Sequence, residues 1–123
     1  MAQTILTFQL EQEKEIAVEK ICQRLEIQNI EVPVKNYGQK LGYLAGITGF
    51  SKENVVYGKS PFPAEMLVFS GMDSARIDAF LAEYKKTALP AIGLKAVVTS
   101  HNIFWTAEAL FTELMKEHLF YHK

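Results

Sequence analysis

Two stretches of this chain carry the same helical spacing behind the same kind of strand, and that repetition limits the folds open to it. Val18, Ile21, Cys22 and Leu25 fall at i, i+3, i+4 and i+7, and Ile77, Phe80, Leu81 and Tyr84 repeat the spacing without change. Residues so placed share one helix face, which needs an apolar surface to cover it. Each stripe follows an apolar run, ILTF at 5–8 and MLVF at 66–69. Each also precedes a second extended run: Ile30, Val32 and Val34 alternate in the first half, and Lys95 to Thr99 follows in the second. The pattern predicts strand–helix–strand twice over.

Punctuation residues extend the reading. EQEKE after the first strand supplies acidic residues for a first helical turn. Pro33 lacks a backbone donor, which puts the second strand at a sheet edge. QKLGYLAGI reads as a short second helix ending near Gly46 or Gly49. Asp73 or Ser74 caps the third helix, and Thr106 caps the fourth. Residues 50–64 contain Pro61 and Pro63 and read as a linker. The expectation is one α/β domain, 1–123, built from two βαβα repeats at about 4–49 and 65–119. They surround a four-stranded, mostly parallel open sheet, with the third strand parallel to the first two. A ferredoxin-like α+β sandwich of two βαβ halves is the alternative. Both place the first and third strands at the centre.

Composition excludes several classes. Residues 1–62 hold 7 basic and 7 acidic side chains and residues 63–123 hold 6 and 7, so no basic stripe marks a nucleic-acid surface. A lone Cys22 forms no internal disulfide, which suits a reducing cytoplasm. The N-terminus lacks the basic region of a signal peptide, and no apolar run nears the ~20 residues of a membrane span. The expected protein is cytoplasmic.

The segments MLVFSG, GLKAVVT and WTAEALFTEL resemble the bacterial family called domain of unknown function 3783. The specific part is the strand LKAVVT followed by Asn102 and by Trp105-Thr106 opening the last helix. LGYLAG in the first half is similar to the upstream region of such proteins. The family pattern sets Asn closer to Trp-Thr, whereas Ile103 and Phe104 separate them here. The resemblance implies the domain and a bacterial cytoplasm; it transfers no catalytic residue.

Function is sought where strands end. In a parallel sheet, ligands gather outside the carboxyl ends of the strands. That edge would carry Asn36-Tyr37-Gly38, Ser70 to Asp73, and Thr99 to Asn102 with Trp105. Ser70, Asp73, Thr99, His101, Asn102 and Trp105 are therefore the candidate ligand-binding residues. Ser70, Asp73 and His101 are the residue types of a hydrolase triad, but Val68 stands where a nucleophile elbow needs glycine. Gly58-Lys59-Ser60 imitates a P-loop tail and fails it, with Glu53 at the first glycine position and prolines where the helix should start. His118 and His122 with Glu117 have helical metal spacing but fall short of a full ligand set. Cys22 on an apolar stripe reads as an inert thiol. Trp105 precedes a cap and should be mostly buried, packing back onto Ala109 or Leu110. The terminal aromatics Phe104, Phe111, Phe120 and Tyr121 read as packing residues. No catalytic residue, metal or cofactor is expected. The balance favours a non-catalytic binding, interaction or regulatory module whose partner is a protein or a small molecule, with a homodimer open; the alternative is a small-ligand binder or small enzyme using the strand-end loops around Ser70, Asp73, Thr99 and His101.

Overall fold

The computed structural model describes residues 2–121, with side chains described through His118. The elements are β1 (Thr4–Phe8), α1 (Gln12–Leu25), β2 (Gln28–Glu31), α2 (Leu41–Leu44), β3 (Met66–Ser70), α3 (Ser74–Lys86), β4 (Leu94–Val97) and α4 (Ala107–Tyr121). They form an α/β domain around one open sheet of order β2-β1-β3-β4. β1 and β2 are parallel, as are β3 and β4, so the sheet is mostly parallel, with β1 and β3 at its centre.

The central pair runs the other way from the expectation. β1 and β3 are antiparallel, with Thr4 opposite Ser70, Leu6 opposite Val68 and Phe8 opposite Met66. The reason lies in the connection between halves. A helix long enough to carry the chain back for a parallel entry is missing, because α2 is a single turn ended by Gly46 at φ 74°. Gly42 sits under the Phe50 ring, where an added Cβ would come within 2.7 Å of ring carbons. Residues 37–42 instead run beside 103–108, with one isolated antiparallel bridge between Lys40 and Thr106. Leu41 N–H donates to the Trp105 carbonyl at 2.8 Å, Ala107 N–H to that of Gln39 at 3.1 Å and Glu108 N–H to that of Tyr37 at 3.0 Å.

Alternation along the strands divides the core. Ile5, Leu67 and Phe69 face α1 and α3, where Val18, Ile21, Cys22, Phe80 and Tyr84 are buried and Leu25, Ile77 and Leu81 pack partly buried. Leu6, Phe8, Met66 and Val68 face α2, α4 and the connecting loops, among Leu41, Leu110 and Phe111. Three layers result, with the two striped helices side by side on one face. The second strand stops at Glu31, before Pro33, and Val34–Asn36 turns as a short 3-10 helix.

Polar contacts lock the halves together through α1. Glu65, from the second half, accepts from the Glu11 N–H at 2.9 Å and from Lys14 Nζ at 2.6 Å, closing the N-terminus of α1. Arg76 on α3 donates from Nη2 to the carbonyl of Leu25 at the other end. Lys14 is 5% exposed, and its hydrogen bond to Glu65 holds the ammonium above its ordinary pKa.

Residues 50–64 contain no helix or strand, as their prolines require, yet they are anchored. Phe62 is 6% exposed. It stacks on Phe111 at 4.2 Å with 7° between planes and on Tyr37 at 4.1 Å. The Gln39 side chain holds Glu53 by its backbone N–H and carbonyl, at 2.9 and 2.8 Å. Truncating such a ring removes apolar area and leaves a cavity. Phe62→Ala should therefore destabilise the protein by about 3–5 kcal/mol in urea unfolding, as a core residue would and a linker residue would not.

Candidate functional site

The turn after β4 is where the sequence points, and the structure assigns a task to most of its polar atoms. Thr99 Oγ accepts from the N–H groups of His101 and Asn102, at 3.2 and 3.1 Å. Asn102 is buried; its Oδ1 accepts from Thr99 N–H at 2.8 Å and its Nδ2 donates to the Val97 carbonyl at 3.0 Å. Val98 N–H points inward, bonding Phe69 O. Neighbours alternate along a strand, so Val97 and Thr99 present their backbone groups outward. The Asn102 carboxamide thus binds the open edge of β4 as an added strand would. A ladder group left unpaired at such an edge invites another chain.

The other candidates disperse. Asp73 N-caps α3, its carboxylate accepting from Arg76 N–H at 2.9 Å. Thr106 caps α4, accepting from Ala109 N–H at 3.1 Å. Ser70 is 1% exposed and lies on the strand face shared by Met66 and Val68; its hydroxyl meets no protein partner. His101 is exposed, with its ring 5.4 Å from that of Trp105. Among the described residues, no hydrogen bond links Ser70, Asp73 and His101. The expected meeting of three loops at one edge also fails in part. The antiparallel central pair points the carboxyl end of β2 opposite to those of β3 and β4, and the chain after it comes back only to the start of α4, where Tyr37 O accepts from Glu108 N–H at 3.0 Å. The local constraint is decisive: strand direction, not loop chemistry, sets which turns can share a crevice.

Trp105 is half-buried rather than mostly buried. It packs at the border of the α4-side core and lines a cleft of about 580 Å³ with Lys59, Thr106 and Glu108. Lys59, from the P-loop-like tripeptide, pairs with Glu108 at 2.5 Å. Phe104 stands 62% exposed against Phe50, ring centroids 5.3 Å apart, although its sequence context reads as packing.

Sequence reasoning missed two polar features. The first is the Glu65–Lys14 pair, which lies beside a cleft of about 480 Å³ shared with Glu11 and His118. A strand-starting Glu and a helix Lys 51 residues earlier give no local signal. The second is Glu15 at the border of α1 and β2, whose Oε1 accepts from Thr7 at 2.8 Å. Burial holds its carboxyl above the ordinary range, outweighing the Thr7 hydrogen bond. Burial likewise pushes the Cys22 thiol up to about 12 and the Tyr37 phenol to about 12, so both stay neutral and Cys22 is a poor nucleophile. No group of three or more His, Cys, Asp or Glu residues that could hold a metal occurs among the described residues, and no described helix could cross a membrane. His122 lies outside them, as do the Phe120 and Tyr121 side chains.

Two measurements check these assignments. Asn102→Ala leaves two outward backbone groups open; it should lower stability by about 1–3 kcal/mol and raise light scattering with concentration. A carboxyl with a raised folded-state pKa favours folding when protonated and opposes it when ionised. Glu15→Gln should therefore raise the urea midpoint at neutral pH. The gain should shrink as pH falls through the raised value toward the ordinary 4.5, where the wild-type carboxyl is protonated too. A gain that grew in acid would reverse the assignment.

No curated protein and no solved structure matches the chain. Residues 65–121, from the capping Glu65 through α4, match the model of the family described as "Domain of unknown function (DUF3783)".

Proposed function

We propose that the protein is a non-catalytic interaction module of the bacterial cytoplasm, descended by duplication of a strand–helix–strand unit. Its contact surface is the aromatic corner of Phe50, Phe104 and Trp105. The exposure of Phe104 carries this reading. Its backbone is held on both sides: Ile103 N–H donates to Thr99 O at 3.0 Å, Trp105 N–H to Asn102 O at 2.9 Å, and Gly42 N–H to Ile103 O at 3.0 Å. A large aromatic displayed from a fixed turn gives contact area at little entropic cost, and such side chains dominate interface energies. Val56, 92% exposed, adds apolar surface from the adjoining loop. Phe104 projects into solvent instead of lining an enclosed cavity, a geometry for insertion into another protein's pocket.

The catalytic alternative loses support from the same turn. Thr99, Asn102 and Asp73 hold backbone in place, and His101 is bonded to neither Ser70 nor Asp73. A nucleic-acid partner finds no basic stripe in a chain of net charge −1.

A photo-crosslinking phenylalanine analogue at position 104, in cells making the protein, tests the proposal. A discrete protein adduct is expected there and none from the same analogue at Gln23, an exposed site on α1. An adduct of twice the chain mass would identify the partner as a second copy. The same adduct pattern at both positions, or none at 104, would sink the proposal. Phe104→Ala should move the unfolding midpoint by no more than about 0.5 kcal/mol, which separates lost contact from lost fold.

A further inference from the structure

On the other face of the sheet, between the C-terminal half of α3, β4 and the loop joining them, lies a cavity of about 340 Å³. Phe80, Leu81, Tyr84 and Ile92 line it, and Lys85 and Lys95 stand among the lining residues with no acidic side chain. We infer that this cavity is a binding site for a small monocarboxylate with a short alkyl or aryl body, the body among the rings and aliphatic side chains and the carboxylate between the two ammonium groups.

The outer wall is built rather than loosely packed. Tyr84 Oη donates to the Pro90 carbonyl at 2.8 Å. Thr87 Oγ donates to Tyr84 O at 2.6 Å and accepts from Leu89 N–H at 3.2 Å. Ala88 turns the chain at φ 61°, a conformation that non-glycine residues adopt only when their surroundings hold them there. The loop is tied at three points around the opening, so the cavity is present before any ligand arrives. A preformed apolar site with a few placed polar groups is the common form of a small-molecule pocket. About 150 Å³ suffices to bind benzene, so this volume has room for a six- to eight-carbon body.

The charges select the head group. Lys95 Nζ donates to the Ile92 carbonyl at 2.7 Å, which holds the ammonium beside the cavity wall and leaves its other protons to donate. Among the described residues, neither Lys95 nor Lys85 is in an ion pair, whereas Lys86, one residue on, pairs with Glu83 at 2.6 Å. Lys85 also sits in the last turn of α3, where a cation is favourable for the helix itself; Lys95 on a strand has no such reason to be there. A protein surface would meet this opening poorly, because Leu67 and Phe80 lie fully within the core. The site shares no residue with the Phe104 corner and does not rest on it.

Titration of the full chain with sodium octanoate and with 3-phenylpropanoate, followed by backbone amide NMR, tests the inference. Saturable shifts confined to Tyr84, Ile92, Lys95 and their neighbours are expected for at least one probe. The neutral octanamide should bind at least tenfold more weakly than octanoate. In Lys85→Gln/Lys95→Gln, which changes exposed positions, octanoate should weaken about tenfold while octanamide is unaffected, about 1.4 kcal/mol by the usual conversion. Three results would overturn the site: no localised shift up to about 10 mM of either acid, beyond the range of weak specific binding, equal affinity for octanoate and octanamide, or shifts centred elsewhere. Repeating the titration on Phe104→Ala should give the wild-type result.

Discussion

The antiparallel ladder between β1 and β3 is the constraint from which the rest of the molecule follows. All five residues of each strand are buried, so both must be covered on two faces. Each carries a parallel neighbour reached through its own helix. With the two central strands opposed, both helices fall on one side and pack against each other. The second face is left to whatever the chain has between and after the two units. That is residues 32–64, with α2 and Phe62, and α4. The division of labour explains why the second face contains a one-turn helix and an aromatic stack instead of a matching pair of helices.

The halves are then tied by polar groups whose partners are far apart in sequence. Glu65 neutralises Lys14 and closes the N-terminal end of α1, while Arg76 donates to Leu25 O at the other end and to Gln3 Oε1 at 2.8 Å. A helix end buried without partners is costly. A buried ammonium stripped of its carboxylate costs more, commonly about 3–5 kcal/mol. The first half by itself would therefore expose an apolar strand edge, the open N-terminal end of α1 and an uncompensated lysine, while Glu26 in the left-handed conformation and Ile27 N–H on Cys22 O already cap the C-terminal end. The second half supplies the groups that close all three.

What the sequence made legible was whatever is written in short-range periodicity. The helical stripes, the alternating strands, the edge role of the β2 segment at Pro33 and the caps at Asp73 and Thr106 all follow from residues within a few positions of each other. The direction of β3 was not legible, since it depends on where a 34-residue connection delivers the chain, from Val32 to Glu65. Phe62 was hidden for the same reason: two flanking prolines mark a loop, and nothing local says that the loop crosses a hydrophobic face. The site suffered doubly. Placing three turns at one edge presupposed a parallel centre, and reading Thr99 and Asn102 as ligand-facing ignored the backbone groups they would have to satisfy. Asn102 was the right residue for a different purpose.

Its purpose bears on how this protein can meet another. An open sheet has two edges that could each accept a foreign strand. On β2 the inward N–H groups are those of Gln28 and Val32, bonded to Gln3 O and Thr7 O. The outward positions are therefore Asn29, Glu31 and then Pro33, which has no N–H to offer. On β4 the outward positions are Lys95, Val97 and Thr99, and Asn102 already occupies the last two. Each edge thus leaves too few free backbone groups for a ladder of useful length. Backbone pairing at either edge is thereby limited to a few groups. The exposed Phe104 and the lysine-flanked cavity are two surfaces that offer side-chain chemistry.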